Sequence, residues 1–345
     1  MTRREDQELE DYQEDTPPFR YPVTSYGADF DVEGLVRRIA RGDIFVPSFQ
    51  RGFVWKQEDS SKFIESLLLG LPVPAIFLAQ ENDTQKLLVI DGQQRLYSLY
   101  YFYQGQLSLR GISRAYNGLI YENLKPEDQR RLDNSLIHAV IVRQDHRDDS
   151  LSSIYFIFER LNIGRTKLQA QELRSALYHD KFNDLLQTLN QNEKWRILYG
   201  APSDRLRDEE LILRFIALFY EREKYRKPML EFLNRFMGRN RDLDVHRGED
   251  IHSIFNKTVD IIHDCIGKDA FRPRKSLNTA MAESVMLGIA ERVSAGLDIE
   301  CKDVKHRYKQ LLDNEEFLAL TRTSTTDESK MFYRLATAIQ TFTNA

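Results

Sequence analysis

Cysteine is nearly missing from this chain: two among 345 residues, Cys265 and Cys301. Two thiols cannot build the disulfide framework of a small secreted domain, and they fit a reducing cytoplasm. Long apolar runs are missing as well. The most apolar stretches, 67–79 and 211–220, are interrupted by Gly70, Pro72 and Pro74 and by Arg214. Neither reaches the roughly 18 uninterrupted apolar residues that a membrane span needs. The opening Met-Thr-Arg-Arg-Glu-Asp has no apolar segment, so no signal peptide is expected. A positive global field is absent too. The net charge is −4, and nothing pulls the whole molecule onto nucleic acid. Repeats and low-complexity segments are lacking. His246 and His252 lie near Asp244 and Asp250, in a spacing that matches no zinc signature.

What is present is the composition of a folded protein, 41% hydrophobic and 30% charged, long enough for two cores. Residues 1–20 are acidic and polar, close with Pro17-Pro18, and read as a disordered lead. From 21 to 148 the pattern alternates. A helix is expected near 30–40, a brief strand at 44–47, and a helix through Phe63, Ile64, Leu67 and Leu68 capped by Asp59 or Ser60. Strands follow at 75–80 and 86–90, a helix from about 96, and a strand at 135–143. From 149 to 345 only helices are expected, at 151–161, 167–178, 208–222, 229–237, 251–266, 279–293, 303–314 and 329–342. Thr166-x-x-Gln169 has capping-box spacing. The basic runs 222–227, 235–247 and 272–275 read first as solvated faces. The fold class is therefore α+β, a small mixed-sheet domain followed by an all-helical one.

One stretch does not obey core patterning. Lys86-Leu-Leu-Val-Ile90 reads as a buried strand, and Leu96, Leu99, Tyr100 and Tyr103 recur at helical spacing. Between them stands Asp91-Gly92-Gln93-Gln94-Arg95. Gly92 permits a tight strand-to-helix turn and close approach of a ligand to the backbone. A helix start offers N–H groups and a positive dipole end, and a guanidinium in its first turn can pair bidentately with phosphate. The stretch therefore reads as a phosphate-handling corner. Upstream, Pro47-Ser48-Phe49-Gln50-Arg51-Gly52-Phe53-Val54-Trp55 reads either as a ligand loop or as a surface loop with core aromatics.

Five boxes together resemble one family. They are Pro47-x-Phe49-Gln50-Arg51 with Trp55; Gly70-Leu71-Pro72-x-Pro74; Asp91-Gly92-Gln93-Gln94-Arg95-Leu96; Phe158-Glu159-Arg160-Leu161-Asn162-x-Gly164; and Gln171-Glu172-Leu173-Arg174. Leu211-Ile212-Leu213-Arg214-Phe215 continues the likeness. The chain resembles the DGQQR-motif family, the N-terminal domain of GmrSD-type restriction systems, whose fold is similar to ParB/sulfiredoxin. The resemblance implies binding and hydrolysis of a nucleoside triphosphate, coupled to anti-phage defence against modified DNA. It also implies an HNH-type nuclease, fused or separate. No Asp-His-x-x-Pro set with downstream Asn/His is found, so the nuclease is expected on another chain and nuclease activity of this chain is not expected. The family's Asn-Thr-Gly-Gly loop reads Asn162-Ile163-Gly164-Arg165 here, with a bulky cation in place of the second glycine.

The resemblance assigns roles. Asp91, Gln93, Gln94 and Arg95 are the catalytic candidates; Gln50, Arg51, Gly92, Arg95, Asn162 and Arg165 are the nucleotide-binding ones. Asp91 is also the candidate ligand for Mg²⁺, since hard cations take oxygen donors. Each has a plainer alternative: Arg95 as a helix arginine paired with Asp91, and Asp91 as a helix cap. Two functions stay open. One is a cytoplasmic nucleotide hydrolase that licenses a partner nuclease; the other is a non-catalytic DNA- or protein-binding module using the same pocket. Partners implied are a nucleoside triphosphate, modified DNA and an HNH-type nuclease, with homo-oligomerisation left open and no membrane contact.

Overall fold

The computed structural model describes residues 23–46, 53–81, 84–144, 157, 169–177, 180–322 and 325–344. They fall into two compact units divided between Leu168 and Gln169. The expected helix 151–161 and most of the Thr166–Gln169 capping box lie outside the described residues, apart from Ile157 and Gln169.

The first unit is a mixed five-stranded sheet with helices. In chain order it runs β1 (Val23–Asp31), α1 (Val32–Arg41), β2 (Ile44–Phe45), α2 (Gln57–Leu68), β3 (Ile76–Gln80), β4 (Leu87–Asp91) and α3 (Gln93–Tyr103). A 3₁₀ turn (Tyr121–Asn123), α4 (Pro126–Asp133) and β5 (Leu136–Gln144) complete it. The sheet order is β1-β5-β3-β4-β2. β1 pairs antiparallel with β5, β5 parallel with β3, β3 antiparallel with β4, and β4 parallel with β2. Alternate residues of the strands, such as Ile76, Leu78, Leu87, Val89 and Ile137, share one apolar cluster with Leu35 of α1, Ile64 of α2 and Leu99 of α3. Leu88 and Ile90 take the other parity of β4 and are buried as well. That double burial is why β4 reads as an unbroken apolar run.

Local chemistry sets the helix ends. Asp31 caps α1 by accepting from the Gly34 N–H at 2.6 Å. Past α2, Gly70 takes φ +71°, and the Leu71 N–H returns to the Ser66 carbonyl at 2.8 Å. The expected cap by Asp59 or Ser60 is corrected: α2 starts at Gln57 behind Lys56, which makes no side-chain cap bond. Ser60 is fully buried instead, its hydroxyl 3.0 Å from that of Ser98 on α3. β1 was not expected at all. Tyr26, Ala28 and Phe30 alternate with Gly27 and Asp29 as a strand with one covered face requires, and β5 holds the segment in a nine-residue ladder.

The second unit is all-helical among its described residues. It holds α5 (Ala170–Leu177), α6 (Lys181–Asn190), α7 (Glu193–Tyr199), α8 (Arg207–Glu221) and α9 (Met229–Arg239), then α10 (Gly248–Ile261) with a π turn (Ile262–Ile266). After these come α11 (Thr279–Ser294), α12 (Cys301–Asp313), α13 (Glu315–Leu320) and α14 (Glu328–Thr343). Helix α11 is buried on nearly every side. It approaches α14 closely at Gly288, where a Cβ would stand 2.5 Å from the Phe342 ring. Cys265 in the π turn and Cys301 at the start of α12 form a disulfide. This corrects the reading of both as thiols: no framework is built, but one bridge closes a span of 36 residues.

Ionic groups run through this second core. Arg174, Glu210, Arg214, Glu283 and Arg334 come from four helices and alternate in sign. Successive contacts are 3.2, 2.8, 3.2 and 2.7 Å. Arg334 is fully buried, and also reaches the Ser284 hydroxyl and the Thr325 carbonyl. Burial lowers the Arg334 pKa, which Glu283 opposes. For Glu210 burial pushes the pKa up, but Arg214 and Arg174 outweigh it and the net shift is downward.

Candidate functional site

The polar corner forms where the sheet hands the chain to α3. Asp91 is the last residue of β4, Gly92 is the turn, and Gln93, Gln94 and Arg95 make the first turn of α3. Gly92 has φ +103°, the left-handed region that glycine reaches without strain. A Cβ there would lie 2.5 Å from Ile76 Cγ2 and 2.9 Å from Ile76 Cβ. The close approach that Gly92 permits is therefore made by β3, inside the fold.

Arg95 turns back toward the sheet. Its Nη2 meets Asp91 Oδ2 at 2.7 Å, and its Nη1 donates to the carbonyls of Pro74 at 2.6 Å and Ala75 at 2.8 Å. The side chain keeps 11% of its surface exposed and that of Asp91 keeps 26%. Pairing of Arg95 with Asp91 over one helical turn is the plainer alternative weighed from sequence, and here it is the geometry found. The two carbonyls are the part sequence reasoning missed. The signal was present in the Gly70-Leu71-Pro72-x-Pro74 box, whose prolines fix φ and leave carbonyls for another group to use. Asp91, Gln93, Gln94 and Arg95 each make a further contact besides those named.

Gln94 faces a different way. Its Oε1 accepts from the backbone N–H groups of Val54 at 2.9 Å and Trp55 at 3.0 Å. One amide oxygen thus pins the segment that leads into α2 against the start of α3. Trp55 and Phe53 are settled by packing, edge-on to Phe63 and Tyr101. Beyond the corner, Tyr97 and Tyr101 stack at 5.7 Å on one face of α3. Burial, then Tyr101, raises the Tyr97 pKa. At the far end of the helix Tyr103 and Tyr121 stack at 4.0 Å and both donate to Asp133. Burial and those bonds hold both phenols protonated.

The structure thus brings Asp91, Gly92, Gln93, Gln94 and Arg95 together at one partly buried corner, where a buried strand hands over to a helix. Gln50, Arg51, Asn162 and Arg165 lie outside the described residues. His246 stacks between Tyr220 and Phe236, and His252 sits beside Asn256. Among the described residues no group of three His, Cys, Asp or Glu side chains could hold a metal ion. Among them, too, no helix is long and apolar enough to cross a membrane.

A small mixed sheet whose inner strand ends in Asp-Gly and opens a Gln-Gln-Arg helix, followed by a helical region, defines an α+β protein of the DGQQR type. Residues 32–179 match the model of the family described as GmrSD restriction endonuclease, N-terminal domain. The match runs past the first unit, and so takes in the Gln171–Arg174 box of α5. The uncharacterized protein MJ0686 of Methanocaldococcus jannaschii is 32% identical over 127 residues, covering 30% of this chain and 21% of that protein. The chain therefore matches about a fifth of the length of that relative.

Proposed function

We propose that the protein is the nucleoside-triphosphate-binding and hydrolysing subunit of an anti-phage, modification-dependent DNA restriction system, and that a separate nuclease cuts for it. The observation that carries this reading is the corner at 91–95. Four polar side chains gather there, partly buried, at the carboxyl end of an otherwise buried strand and the start of a helix, within a region that matches a restriction family. Ligands of α/β sheets are commonly taken up at such strand ends.

In this reading the phosphates compete with Asp91 for the Arg95 guanidinium, whose orientation the Pro74 and Ala75 carbonyls preserve. Gln93 orients a water whose oxygen bonds to the terminal phosphorus as the bond from that phosphorus to the bridging oxygen breaks; the water's proton passes to the released phosphate, the nucleoside diphosphate leaves, and Arg95 meets the charge that develops. Asp91 can supply one carboxylate oxygen to Mg²⁺. That suits an ion held chiefly by phosphate oxygens, and bound Mg²⁺ would supply charge neutralisation. Gln50, Arg51 and Asn162 are assigned to nucleotide binding by the family likeness, and Arg165, which stands where the family has glycine, by its charge.

Another observation favours the second reading, a non-catalytic DNA- or protein-binding module. Arg95 already has three internal acceptors, and Gly92 is closed over by Ile76. Phosphate release from ATP, GTP, CTP and UTP, with and without modified DNA, separates the two. The hydrolase reading expects turnover that Arg95→Ala lowers by about 100-fold or more with the fold intact. Absence of release from all four nucleotides, with ligand or DNA binding that survives Arg95→Ala, establishes the module instead.

A further inference from the structure

The sheet has two edges, and they are unequal. At one edge β2 is only two residues long, which blunts it. At the other, β1 runs nine residues in unbroken register with β5, from Val23↔Gln144 to Asp31↔Leu136. It has no bulge, no proline and no lysine, the usual devices that keep an edge from pairing. Among the described residues no strand pairs with its outer side. Ser25, Tyr26, Gly27 and Asp29 are exposed there.

We propose that β1 pairs antiparallel with β1 of a second copy of this chain, about a two-fold axis centred on Gly27, so that two five-stranded sheets become one continuous sheet. The residues themselves select this register. Centring on Gly27 uses all nine residues of the strand: Val23 faces Asp31, Thr24 faces Phe30, Ser25 faces Asp29 and Tyr26 faces Ala28. On the helix-covered face this sets large beside small, Tyr26 against Ala28 and Phe30 against Thr24. On the other face each Ser25 hydroxyl meets an Asp29 carboxylate, which engages His138 of its own chain through Oδ1. No carboxylate opposes another. Centring on Asp29 would set that carboxylate against its copy and leave five paired residues. Gly27 faces itself, so no side chain meets its own copy on the axis.

Cross-linking of the full chain tests the register. In the Ser25→Cys/Asp29→Cys variant each introduced thiol faces its opposite number across the two-fold, so mild oxidation yields a covalent dimer. Either substitution alone leaves like thiols about four residues, or roughly 14 Å, apart, beyond disulfide reach. Mixing the two single variants restores the link. Light scattering on the wild type from about 1 to 100 µM is expected to show dimer growing with concentration, as a small interface requires. Gly27→Lys sets two ammonium groups against each other, and the exposed His138 ring can yield to its side chain, so this variant stays monomeric. A wild type that remains monomeric throughout that range overturns the proposal. So does a dimer that the double variant fails to lock, or one that either single variant locks.

Discussion

The two units place their polar residues in opposite ways. In the first, the apolar cluster around Val89 and Leu99 is uninterrupted by charge, and the polar set Asp91–Arg95 is gathered at one partly buried corner. In the second, charge is taken into the core itself, as five alternating Arg and Glu side chains from α5, α8, α11 and α14. A corner that keeps part of its surface in solvent can exchange a partner for a ligand while water compensates the group displaced. A buried chain of charges cannot, because each member compensates the desolvation of the next. The contrast separates polar residues available for binding from polar residues that specify packing.

The strongest way to break that contrast is Glu283→Ala. It strips Arg334 and Arg214 of a shared carboxylate, and the unfolding transition of the helical region should lose about 3–5 kcal/mol in urea titration. Loss of under 1 kcal/mol would mean that the chain of charges is not structural. Gly92→Ala probes the corner from inside. It forces a side chain onto a left-handed backbone and into Ile76, and should cost the first unit about 2–3 kcal/mol. A neutral result would show that β3 and the turn can part, which leaves room there for a ligand. Gln94→Ala should cost about 1–2 kcal/mol, by leaving the Val54 and Trp55 amides without their acceptor, with faster amide exchange at both.

A pH dependence tests the buried charge of the second unit. Burial, then Asp208, raises the pKa of Glu209 from 4.5 to about 7. The folded state keeps a proton that the unfolded state has already lost. Stability from this group is therefore full below pH 4.5, falls as pH rises, and is gone above about 7. Thermal melts should show the helical region weakening across that window, and Glu209→Gln should flatten the trend. An unchanged slope would assign the dependence to other groups.

Much of the first unit was legible because its elements carry their own signals. β4 and α3 show the two hydrophobic periods, and Gly92 marks the turn between them. α2 was legible in its apolar face but not in its start, since Ser60 serves the core and not the cap. β1 was harder to see because Gly27, Asp29 and Asp31 dilute the strand preference of Val23, Thr24, Tyr26 and Phe30; its nine-residue pairing with β5 fixes it. At the site, the i, i+4 spacing of Asp91 and Arg95 disclosed their pairing, while the Pro74 and Ala75 carbonyls lie some twenty residues upstream. The π turn and α12 start that bring Cys265 and Cys301 together are 36 residues apart, so composition alone left them as separate thiols.

The sequence by itself determined that a mixed-sheet region is followed by helices and where polar residues interrupt a buried strand. Both follow from local periodicity, and a residue's neighbours in sequence are enough to set them. Only the tertiary structure decided which groups answer one another. It tied Arg95 to Pro74 and Ala75, closed Ile76 over Gly92, and threaded Arg174, Glu210, Arg214, Glu283 and Arg334 into one core. The physical reason is that a buried polar group must find a partner wherever the fold delivers one, and distance along the chain does not limit that choice.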